Sequence, residues 1–63
     1  MPDRLLHIAH FDGRKRRAFV YRCGSTGEYR VELWVGGLRR YEADYWTEDH
    51  GDALRTAAAM VSA

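Results

Sequence analysis

The sequence predicts an α+β fold: a three- to four-stranded antiparallel β-meander with one C-terminal α-helix packed on one face. Two neighbouring runs, residues 28–35 and 38–46, alternate apolar and polar side chains with the period of a half-buried strand. Glycines at 13, 24, 27, 36 and 37 cut the first part of the chain into runs of strand length. After Trp46 the apolar spacing changes to that of a helix, with Leu54, Ala57, Ala58 and Val61 at i, i+3, i+4 and i+7.

Taken in order, residues 5–10 form the weakest strand candidate, and Phe11-Asp12-Gly13 is the turn that follows it. Residues 18–23 (AFVYRC) are richer in β-branched and aromatic side chains and make a stronger strand. In residues 28–35, Tyr29, Val31, Leu33 and Val35 oppose Arg30, Glu32 and Trp34; in 38–46, Tyr41, Ala43 and Tyr45 oppose Arg40, Glu42, Asp44 and Trp46. A two-residue turn at Gly36-Gly37 would set Leu33 against Arg40 and Val31 against Glu42, mixing apolar and charged groups on one face. A three-residue loop avoids this and is the expected connection. One register of that kind also pairs Glu32 with Arg40 and Arg30 with Glu42, each pair contributing roughly 0.2–1 kcal/mol. The helix is expected over 48–62, capped by Thr47 or Asp49, with Glu48, Asp49 and Asp52 in its first turn. Its stripe is mostly alanine, so the sheet must supply most of the core.

The chain's 63 residues allow one domain, residues 1–63, and a chain this short buries only about 60% of its unfolded surface. A single cysteine excludes an internal disulfide and fits a reducing compartment. No targeting or membrane-spanning segment is legible, so a soluble, cytoplasmic protein is expected. Four strands make a sheet some 15–19 Å wide, whereas one helix is about 10–12 Å across. Either the sheet curls, or a partner, such as a second copy in a homodimer, covers the remainder.

A net charge of +1 hides two poles. Residues 1–30 carry seven basic and three acidic side chains (+4), and residues 31–63 carry three basic and six acidic (−3). Nine of the ten basic residues are arginine, whose planar fork suits phosphate and carboxylate. Arg14, Lys15, Arg16 and Arg17 form one run at a turn, with Phe19, Tyr21 and Trp34 interleaved with further arginines, a composition that suits nucleic acid. The register that buries Val31 and Leu33 places Trp34 on the opposite face among Arg30, Glu32 and Arg40. There it meets a partner or is covered by the N-terminal segment.

The layout of residues 28–61, a strand, Val35-Gly36-Gly37, an arginine-bearing strand ending in Tyr45-Trp46, and an alanine-rich helix, resembles the AP2-like DNA-binding domains at the amino end of phage integrases. The resemblance implies that the uncovered sheet face enters the major groove, with Arg22, Arg30, Trp34 and Arg40 as the matching side chains. The candidate binding set is therefore Arg14, Lys15, Arg16, Arg17, Arg22, Arg30, Trp34 and Arg40.

Catalysis and metal binding are not expected. Cys23 has no oriented base near it in sequence, and His7 and His10, three apart on a strand, point to opposite faces. The residues at 24–27 lack the lysine of a phosphate loop, and the first-turn carboxylates suit the helix dipole. The expected function is a small non-enzymatic binding module, without cofactor, membrane contact or small-molecule substrate, that contacts nucleic acid through the basic turn and an Arg/Trp sheet face. The alternative is a protein-interaction or inhibitor domain, encoded on a mobile element, that uses the mixed-charge aromatic face as a homodimer.

Overall fold

A computed structural model describes residues 2–11 and 15–62. Four strands, β1 (Arg4–His10), β2 (Arg16–Arg22), β3 (Tyr29–Val35) and β4 (Leu38–Thr47), form one antiparallel sheet in the order β1-β2-β3-β4, and helix α1 (His50–Ser62) packs across one face. The α+β meander expected from the sequence is the observed fold. Its strands start or stop within two residues of the expected ones, and the helix begins at His50 rather than at 48. Asp12, Gly13 and Arg14 lie outside the described residues, so the expected turn does too.

The core lies between the helix and the two central strands. Ala18 and Val20 of β2, Val31 of β3, and Ala53, Ala57 and Val61 of α1 are buried together, with Ala9, Tyr29, Leu54 and Met60 against them. The helix therefore seats on Ala53, Ala57 and Val61, at i, i+4 and i+8. Leu54 is only part-buried and Ala58 is exposed, which corrects the expected stripe by one residue. Small side chains on the helix let it approach the sheet closely, and valines supply the bulk.

Both ends of α1 are satisfied. Asp49 is the N-cap: its carboxylate accepts the Gly51 N–H at 2.9 Å, while its carbonyl accepts the Ala53 N–H. The last turn has no basic residue of its own, and Arg16 of β2 supplies one, donating from Nη1 to the Met60 carbonyl at 3.3 Å.

The β3–β4 connection differs from the expected three-residue loop. Val35 pairs with Leu38 across a two-residue turn, and Gly36 and Gly37 both have positive φ (61° and 83°), as the tight hairpin turn matching strand twist requires. Leu33 thus does stand opposite Arg40. The apolar mismatch does not persist, because a bulge sets four residues of β4, 41–44, against Glu32 alone, after which Val31 faces Tyr45 and Tyr29 faces Thr47. The slip of three residues restores an apolar helix-side face beyond it, and leaves Arg40 on the helix side and Trp46 on the open side.

Tyr45 then reaches the helix and donates its hydroxyl proton to Asp52 Oδ2 at 2.7 Å. That bond lowers the Asp52 carboxyl below its ordinary value and raises the Tyr45 hydroxyl. A lowered acid stabilises the fold above its unfolded value near 3.9 and loses that contribution as pH falls through the folded one. A raised phenol stabilises below its unfolded value near 10 and loses it as pH rises. The stability difference between the native chain and Tyr45→Phe is therefore expected to be constant between about pH 4 and 10 and to shrink outside that window. Urea denaturation across pH checks this.

Candidate functional site

On the face that α1 leaves open, strand parity gathers Arg17, Phe19 and Tyr21 of β2, Arg30, Glu32 and Trp34 of β3, and Arg39, Asp44 and Trp46 of β4. Glu32 is the centre of this face and only 4% exposed. Its Oε2 accepts from Arg30 Nε at 2.8 Å and faces Arg39 Nη2 at 3.4 Å, and its Oε1 accepts from Trp34 Nε1 at 3.2 Å. Two further carboxylates close the network. Arg39 Nη2 donates to Asp44 Oδ2 and Arg30 Nη1 to Asp3 Oδ2, each at 2.7 Å.

Charge and hydrogen bonding support each other here. The Arg30 bond, with help from the Gly24 N–H, holds the Asp3 carboxyl below its ordinary value. Burial works against the Arg30 charge, but Asp3 and Glu32 outweigh it and raise its pKa; Arg39 is raised chiefly by Asp44. Arg30 also lies over the Tyr21 and Trp46 rings, 4.7 and 5.6 Å from their centroids, and Arg39 lies 4.5 Å over Tyr41. These two arginines are thus enclosed by three carboxylates and three aromatic rings.

One corner of the face is different. Arg17 pairs with Trp34 across β2 and β3, Phe19 meets Trp34 edge to face at 6.0 Å and 74°, and Lys15, Gly36 and Gly37 complete a shallow concavity with these three. Ile8 and His10 continue it onto β1. Among the described residues, neither Lys15 nor Arg17 has an acidic partner.

The candidate residues therefore separate. Arg17, Arg30 and Trp34 share the open face, with Lys15 at its rim. Arg40 and Arg22 do not: they pair with Leu33 and Tyr29 and belong to the helix side, and Arg39 takes the place expected of Arg40. The expected Glu32–Arg40 and Arg30–Glu42 pairs are replaced by Glu32 with Arg30 and Arg39. Arg16 is on the helix side at the end of α1, and Arg14 lies outside the described residues. Trp34 is half-buried by Phe19 and Glu32; the N-terminal segment, one of its two expected covers, is instead β1, an edge strand separated from β3 by β2 in the sheet. The parity of Ala18 and Val20 was a readable sign that Arg16 and Arg22 face the core side. Nothing local marked Asp3 as a partner of Arg30, 27 residues away.

His7 pairs with Val20 and His10 with Arg17, so they do point to opposite faces. Among the described residues no three His, Cys, Asp or Glu side chains gather as metal ligands, and no helix is long and apolar enough to cross a membrane. Hydrogen bonds from Ser25 and Thr26 lower the Cys23 thiol's pKa, and the carboxylate that Cys23 also meets, that of Asp3, is held by Arg30 and the Gly24 N–H. No protein-family model, curated protein or solved structure matches the chain.

Glu32→Gln is expected to cost about 2–3 kcal/mol of unfolding free energy. That is less than the 3–5 kcal/mol of a fully buried pair, because the Arg30 and Arg39 side chains are still 17% and 22% exposed. Arg40→Ala, with no ion-pair partner among the described residues, should stay within about 0.5 kcal/mol. Guanidinium denaturation of the two variants checks the contrast.

Proposed function

We propose that the protein is a small non-enzymatic module that binds nucleic acid through the Lys15–Arg17 corner of its open sheet face. The observation that carries this reading is the contrast within that face. Arg30 and Arg39 are neutralised by carboxylates, whereas Lys15 and Arg17 have no acidic partner among the described residues and stand beside Phe19 and Trp34. Unpaired cations beside aromatic rings suit a polyanion with stackable bases. The surroundings do not oppose it, since β1 and β2 contain no acidic residue and His10 stands opposite Arg17 on the same face; Arg4, His7 and Arg22 are on the helix side. On this reading the contact lies on the β2 side of the sheet, not across the whole face as a groove-filling AP2-like sheet would have it.

The test is a titration against mixed-sequence DNA at two salt concentrations. Binding is expected at low salt, falling as salt rises, and Lys15→Ala/Arg17→Ala should weaken it at least about tenfold and flatten the salt dependence. No binding at low salt overturns the reading. Because both side chains are exposed or at the rim, the double variant should keep its native stability.

A second reading, contact with a protein, is favoured by the outer edge of β1, where Leu5, Leu6 and Ile8 are 38–45% exposed on a strand with one unpaired side. Edge pairing with a second copy would extend the sheet. It predicts a concentration-dependent dimer in sedimentation that Ile8→Lys abolishes; a monomer at high concentration removes this reading.

A further inference from the structure

Five aromatic side chains lie on or beside the open face, and their surroundings divide them. Tyr21 and Trp46 share the Arg30 guanidinium, and Tyr41 carries that of Arg39, so the ring faces there are already occupied by cations held in ion pairs. Trp34, packed on Phe19, has no such cation over it among the described residues. The concavity beside this pair is lined by Arg17, Lys15 and the Gly36-Gly37 turn, whose Gly36 N–H donates to the Lys15 carbonyl. A Cβ built on either glycine meets no atom within 4 Å, so that rim is bare backbone with open space above it. The same small volume thus offers an apolar aromatic wall, two cations without an acidic partner among the described residues, and room for a flat group to enter.

A flat apolar group bearing an anion a few ångströms away matches these features, and a nucleotide is such a molecule. In a duplex both faces of each base are covered by its neighbours; only an unpaired nucleotide presents a face for stacking. Resting on the reading of this corner as a nucleic-acid contact, we propose that it takes one unstacked nucleotide, its base against the Phe19–Trp34 wall and its phosphate on Arg17 and Lys15. The carboxylates of Glu32 and Asp44 prevent the phosphate track from continuing along β3 and β4. Two phosphate contacts then set a shallow salt slope for single strands, about −1.4 in log K against log salt.

The experiment uses Trp46→Phe, which leaves Trp34 as the sole tryptophan of the chain and its fluorescence as the reporter. Three probes are titrated: a nucleoside monophosphate, a short single-stranded oligothymidylate and a blunt DNA duplex. The expected result is quenching by the first two, tighter for the strand, with Arg17→Ala weakening both at least about tenfold and Arg40→Ala, on the other face, weakening neither. Quenching by the monophosphate alone keeps the nucleotide pocket and overturns the nucleic-acid reading. Binding of the duplex as tightly as the strand, with Trp34 unquenched, does the reverse: the nucleic-acid reading stands and the pocket fails. If no probe binds, both fail. Should Trp46→Phe not fold, the native chain titrated by calorimetry with and without Arg17→Ala gives the same ranking of probes.

Discussion

Glu32 sits 4% exposed on a face that no helix covers, and an ionised carboxylate in such a place is tenable only with donors on both oxygens. Arg30, Arg39 and Trp34 provide them. Meeting that requirement explains two features of the hairpin that apolar patterning alone does not. The two-residue glycine turn places Arg39 opposite Trp34, on the Glu32 side, where a three-residue loop would have moved it to the other face. The bulge at 41–44 then brings Asp44 to Arg39, so that the second arginine is itself compensated. The pairing register of β4 thus follows from the charges of the open face as much as from the valines of the covered one.

The same network determines which basic residues remain available. Arginines are abundant in this chain, but abundance does not make an anion-binding surface. Arg30 and Arg39 are enclosed in the network, and Arg16 closes the end of the helix. Among the described residues, what is left on the open face is Arg17, with Lys15 at the edge, and these adjoin the Phe19–Trp34 pair, over which none of the described guanidiniums lies. A net charge of +1 is therefore a poor guide to the surface potential, which arises from pairing and not from counting.

The elements of the fold were legible because they rest on local patterns: period two in β2 and β3, glycine breaks, and Asp49 ahead of an alanine-spaced helix. The Gly36-Gly37 turn was legible as well, since two consecutive glycines suit a turn with two positive φ angles. Strict alternation along β4 argues against that turn, since it mixes Leu33 with Arg40. That inference assumed an unbroken ladder, and a bulge is the device that breaks one. Parity predicted Trp34 on the open side but, carried through residues 41–44, misplaced Arg40. The long-range partners, Asp3 for Arg30 and the Met60 carbonyl for Arg16, leave no local trace in a single sequence, because nothing in their neighbourhoods distinguishes them from exposed polar groups.

One helix is too narrow for a sheet of four strands, and the sequence alone made a covering partner the natural remedy. The molecule meets much of that shortfall from within. Three carboxylates, two guanidiniums and the rings of Tyr21, Trp46 and Tyr41 form a layer over β3 and β4 that buries Glu32 without any second chain. Burial therefore does not by itself require a dimer there. Apolar surface remains exposed mainly along β1, at Leu5, Leu6 and Ile8, and on β4 at Leu38, Tyr41 and Trp46. Both edge strands have a register irregularity, between Leu5 and His7 in β1 and over 41–44 in β4; what sets them apart is charge, since β4 carries Glu42 and Asp44 while β1 carries no acid. On the β1–β2 side of the sheet, therefore, exposed apolar side chains lie near Lys15 and Arg17, which have no acidic partner among the described residues.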